Sequence, residues 1–83
     1  MAEPRALRIR KAVATENAAW DRATERRADA EYALEQYSES PDFDDASERY
    51  ESLHRAVETA RQEERDAERV WRAAMERAER EIV

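Results

Sequence analysis

Apolar positions recur along this chain at alternating steps of three and four, and they do so in two separate runs. The first passes through Ala6, Ile9, Val13, Glu16, Trp20, Ala23, Arg27, Ala30, Leu34 and Tyr37. The second passes through Phe43, Ala46, Tyr50, Leu53, Val57, Ala60, Glu64, Ala67, Trp71, Ala74 and Ala78. Steps of three and four return to one side of an α-helix, and a narrow stripe at that spacing is how two helices lock side by side.

Between the runs lies the stretch YSESPDFDDASERY. Ser40-Pro41 suits a helix start, with serine as N-cap and proline at the first helical position, where its missing N–H costs nothing. Asp45 and Glu48 stand at capping-box spacing and offer a later start. With Pro4 opening the first helix, the pattern predicts one helix over about 4–38, a joint over about 39–44 and a second helix from about 41 or 45 to 82, each roughly 50–60 Å long. A joint this short implies an antiparallel hairpin, and the length allows one domain across residues 1–83. Closing the hairpin is expected to bring Tyr37 near Tyr50, Leu34 near Leu53, and each tryptophan opposite a small residue, since large facing small suits a close-packed pair.

Four apolar residues fall beside the stripe: Val70, Met75 and Ile82 in the second run and Leu7 at the matching end of the first. An apolar face wider than one helix can cover is the mark of a helix with two or more neighbours. The simplest supplier is a second copy, so the expected assembly is an all-α homodimer in which two hairpins form a four-helix bundle.

Composition favours the same assembly. Charged residues make up 43% of the chain, and only seventeen residues are Val, Ile, Leu, Met, Phe, Trp or Tyr, a thin core for 83 residues. Seventeen alanines lose no side-chain entropy in a helix and so favour helix over disorder. The absence of cysteine removes disulfide and zinc-thiolate chemistry. No apolar run is long enough for a signal segment or a membrane span, which makes a cytoplasmic protein without a membrane partner the expectation. Fourteen arginines against one lysine point to a GC-rich genome, such as that of a high-GC bacterium or its phage.

The charge is unevenly placed. Residues 1–11 carry Arg5, Arg8, Arg10 and Lys11 against Glu3, while residues 39–51 carry six acidic residues, Asp42, Asp44, Asp45 and Glu48 among them, against Arg49. Carboxylates favour the positive end of the second helix, which explains an acidic bend. The basic start opposes the first helix's dipole; it calls for glutamates on the returning helix, the acidic bend of an antiparallel second copy, or an acidic ligand. A net charge of −6 disfavours nucleic acid, whose binders need a dominant basic surface.

Polar chemistry is sparse. Arg27 and Glu64 interrupt the stripes at positions that the hairpin brings together, and such a pair fixes register more than it adds stability. Trp20 and Trp71 lie on the stripes and belong to the core and its interface, whereas Tyr32 sits on the opposite face as an outward contact residue. Glu51-x-x-His54 has the spacing of a carboxylate-bridged metal site in a four-helix bundle, with Glu35 or Glu31 as further ligand, but Tyr50 and Leu53 occupy the stripe there and leave both groups at its margin. DFDDASERYESL is no calcium loop, because Ser47 and Leu53 replace its turn glycine and closing glutamate. Glycine-rich phosphate loops are excluded by the lack of glycine, and no nucleophile–base arrangement occurs.

In length and architecture the chain is similar to small secreted helical hairpins of the WXG type. It lacks their Trp-x-Gly bend, the joint reading SPDFDD, and their C-terminal Tyr-x-x-x-Asp/Glu signal, so the likeness is one of shape. The reading that results is a non-enzymatic helical module without cofactor that self-associates and binds another protein as adaptor, inhibitor or regulator. A metal-carboxylate bundle at Glu51 and His54 is the alternative, and a nucleic-acid regulator or mimic ranks third.

Overall fold

The computed structural model describes residues 2–83 and is helical in all its regular structure: α1 spans Arg5–Ala12, α2 Ala14–Ser38 and α3 Glu48–Glu81. No helix among the described residues is long and apolar enough to cross a membrane. α3 runs back antiparallel along α1 and α2. Arg5 meets the carbonyl of Ile82 at one end, Arg27 meets Glu64 midway, and Tyr37 meets Ser47 at the bend. The result is a rod measuring 62 × 20 × 12 Å, one helix thick.

The expected first helix is divided. At Val13 the backbone departs from helical values (φ −110°, ψ 14°), yet the Val13 N–H still reaches the Ile9 carbonyl at 3.2 Å and the Asn17 N–H reaches the Val13 carbonyl at 2.9 Å. α1 and α2 therefore form one rod with a local unwinding. Val13 is only 3% exposed and packs with Ile9, Ala74 and Ala78, so the irregularity coincides with the deepest residue of that end.

The stripes are the core. Ile9, Val13, Ala23, Tyr37, Val57, Ala60, Ala74 and Ala78 are buried, and Trp20, Leu34, Tyr50, Leu53, Ala67 and Trp71 are half-buried. The tryptophans differ from expectation, because Trp20 and Trp71 face each other with ring centroids 4.9 Å apart and planes tilted by 42°. The length of the joint sets this level, and the alanines one step along (Ala23, Ala67, Ala74) leave room for two large rings.

The joint is longer than the spacing predicts, because α3 starts at Glu48 and neither Ser40 nor Asp45 caps it. Ser47 is the N-cap, its Oγ accepting from the Tyr50 N–H at 3.1 Å. Pro41 lies instead in a turn closed by the Phe43 N–H on the Ser40 carbonyl, the i+1 position that proline favours. A second turn follows directly: the Ser47 N–H bonds the Asp44 carbonyl, and Asp44 Oδ1 accepts from the Ala46 N–H at 2.9 Å. Phe43 thus drops out of the stripe and lies edge-on to Tyr37 and Tyr50, with centroids 5.5 and 5.8 Å away.

Candidate functional site

Chemistry gathers in three places along the rod: the open end, the middle and the bend.

At the open end Ile9, Val13, Ala74 and Ala78 form a buried cluster on which Trp71, Met75 and Ile82 pack. Met75 and Ile82, which the spacing leaves beside the stripe, are accordingly half covered by the chain itself, as is Leu7. Val70 differs; it remains 57% exposed. Between α1 and α3 a groove of about 440 Å³ has Ala6, Ile9, Val13, Trp71 and Met75 as its apolar floor and Arg5, Arg10, Asn17 and Glu79 on its rim. The basic residues here do not seek the glutamates of α3. Arg5 donates from Nε to the Ile82 carbonyl (2.7 Å) and from Nη2 to the Glu79 carbonyl (2.9 Å), and Arg8 donates to the Val83 carbonyl (3.0 Å). They cap the C-terminus of α3, where the free carbonyls and the negative end of the helix dipole favour cations. Lys11 pairs with Glu3 at 2.7 Å, and Arg10 has no carboxylate partner among the described residues.

Just inside this end, Glu16 interrupts the stripe, and its Oε2 is the one buried side-chain oxygen or nitrogen among the described residues that lacks a hydrogen-bond partner.

Midway, Arg27 and Glu64 meet as the spacing predicts. The guanidinium Nε donates to both carboxylate oxygens at 3.1 Å, and Nη1 donates to Glu31 at 3.1 Å. Glu31 also accepts from Arg61 Nε at 3.0 Å, so four charges form one chain across the seam. The hydrogen bonds that Arg27 donates, first to Glu64 and then to Glu31, push its pKa up, which keeps it charged at every accessible pH. Glu31 is held below its ordinary value of 4.5, chiefly by Arg61 and then by Arg27, against the opposing effect of partial burial. A depressed carboxylate stabilises the fold above its unfolded pKa and loses that contribution as pH falls through the folded one. Acid titration of helicity is therefore expected to show wild-type stability dropping as pH passes below 4.5, with a shallower drop in Glu31→Gln. Equal slopes for the two proteins would show that the Glu31 contacts carry no net energy. Another cross-seam pair, Arg26 with Glu63 at 3.5 Å, is more than half exposed on the arginine side and adds little.

At the bend Asp42, Asp44, Asp45 and Glu48 all stand at the surface with Phe43, which is 40% exposed. Of these four acidic residues, Asp44 alone uses its side chain within the joint, accepting from the Ala46 N–H. The Asp44 N–H donates to the Tyr37 hydroxyl (3.2 Å), which lies 2.8 Å from Ser47 Oγ, and the Ser47 hydroxyl in turn donates to the Asp44 carbonyl at 2.7 Å. Arg49 covers the Tyr37 ring, with its guanidinium carbon 5.1 Å from the centroid. Tyr32 is exposed on the outer face, as its position predicts.

Glu51 and His54, the residues of the metal alternative, both stand exposed at the edge of the stripe. His54 lies against the Tyr50 ring, with Nδ1 3.7 Å from Glu58 Oε1, and no group of three or more His, Asp or Glu side chains able to hold a metal comes together among the described residues.

Spacing placed Ile9 and Val13 in the core, where they lie, but gave no sign that a groove opens over them. It also missed Arg61 as the fourth member of the central chain and Ser47 as the cap. Arg61 stands thirty residues from Glu31, too far for any helical pairing rule to connect them. Comparison with family models, with curated proteins and with solved structures finds no match to this chain.

Proposed function

We propose that this chain is a non-enzymatic helical interaction module that self-associates and acts by binding another protein, as an adaptor, inhibitor or regulator. One observation carries this reading: the amount of surface left uncovered. The chain exposes 6349 Å², whereas a compact monomer of 9.8 kDa is expected to expose about 5,200 Å². The difference of about 1,200 Å² exceeds the roughly 800 Å² that each partner contributes to a stable interface. The radius of gyration tells the same story, 18.4 Å against about 12 Å for a compact chain of this length. Among the described residues four of the eight that are buried are alanines, so few large side chains are removed from water within one copy.

Sedimentation equilibrium across a wide concentration range, with helicity followed on dilution, tests the proposal. The expected result is a dimer that loses helix as it dissociates. A monomer that keeps full helicity at every concentration would overturn self-association and leave the open-end groove as a free surface for a foreign partner.

A further inference from the structure

The two ends of the rod carry opposite charge, and each presents what the other end would accept. The open end has an apolar floor of Ile9, Val13, Trp71 and Met75 between two arginines, Arg5 and Arg10. The bend has an exposed phenyl ring, Phe43, among carboxylates. We propose that the open-end groove receives the bend of a second copy laid antiparallel, so that Phe43 of each copy enters the other's groove while Asp42 and Asp45 face Arg5 and Arg10. This rests on the self-association reading and adds to it the surface and the orientation.

Charge complementarity selects this occupant. Residues 39–51 hold six acidic residues against one basic, and residues 1–11 hold four basic against one acidic. Within the chain Arg5 meets backbone carbonyls and no carboxylate, so only the α3 dipole offsets its charge. Arg10 has no partner, and neither Asp42 nor Asp45 accepts a hydrogen bond through its side chain among the described residues. Glu79 on the rim opposes docking, as one carboxylate against two guanidiniums.

Geometry makes the contact close on itself. In two antiparallel rods of equal length, 62 Å, both bend-to-groove contacts form together about one two-fold axis, so the assembly ends at a dimer and not a filament. A parallel pair would set the two acidic bends side by side.

The test is a charge swap read by sedimentation equilibrium, with circular dichroism melts as the check on folding. Asp42→Arg with Asp45→Arg, and separately Arg10→Glu, are each expected to weaken the dimer by about tenfold or more, and combining all three in one chain is expected to recover much of the loss. In the unsubstituted protein, affinity should fall as salt rises, and dimerisation should shield Trp71 from iodide quenching. Dimers of unchanged affinity in both charge variants, or affinity indifferent to salt, would overturn the docking mode while leaving self-association standing through another face, such as the groove lined by Ala30, Ala56 and Ala60. Absence of any dimer in the unsubstituted chain would overturn both readings together.

Discussion

Trp71→Ala is expected to remove about 3 kcal/mol of stability, the lower end of the range for truncating a large aromatic residue, since the indole is half-buried. Trp71 meets Trp20 with ring centroids 4.9 Å apart, packs on the Ile9–Val13–Ala74–Ala78 cluster, and forms part of the floor of the open-end groove. Its loss therefore opens the seam between the central charge chain and the α1 contacts, leaving Trp20 facing a gap flanked by alanines. Trp71→Phe should keep most of the stability, because a ring remains against Trp20. A double-mutant cycle with Trp20→Ala isolates the ring–ring contact, expected at about 0.5–1.5 kcal/mol beyond area burial. Urea unfolding followed by far-UV circular dichroism at one fixed protein concentration measures all three, the concentration being held because self-association would shift the midpoint. A loss below about 1 kcal/mol for Trp71→Ala would mean that the indole faces water more than the seam.

The level at which the two tryptophans meet could not be read from the sequence, and the reason is general to hairpins. Periodicity tells which side of each helix is buried, and here it placed each of the buried residues described, from Ile9 to Ala78. It does not tell how far one helix slides along the other, which is set by the residues spent in the joint. The sequence offered two competing helix starts, at Ser40 and Asp45, both with acceptable capping chemistry, and the structure uses neither. Ser47 wins because a distant residue, Tyr37, reaches its hydroxyl. Arg27 with Glu64 was legible because both charges interrupt an apolar stripe. The capping of α3 by Arg5 and Arg8 was not, because the acceptors are backbone carbonyls that carry no sequence signal. The unwinding at Val13 likewise has no glycine or proline to announce it.

Tyr37 is where the joint and the helices are tied, and its truncation is the second large effect expected. The ring is buried, meets Phe43 edge-on, and lies under the Arg49 guanidinium. Its hydroxyl links the Asp44 N–H to Ser47 Oγ, and the same Oγ caps α3 through Tyr50. Tyr37→Phe keeps the ring and removes the hydroxyl, leaving the Asp44 N–H without its acceptor, at a cost of about 1 kcal/mol. Tyr37→Ala removes both and is expected to cost about 3 kcal/mol. The two variants should also differ in where they loosen. Without the ring, Phe43 loses one of its two aromatic neighbours, so amide exchange at Ser47 and Tyr50 should quicken and proteolysis should concentrate within residues 39–47. In Tyr37→Phe that segment should stay protected, because Phe43 still packs on both rings. If Tyr37→Phe were as damaging as Tyr37→Ala, the hydrogen-bond chain and not aromatic packing would be what holds the bend. The acidic end of the rod would then owe its shape to a single hydroxyl group.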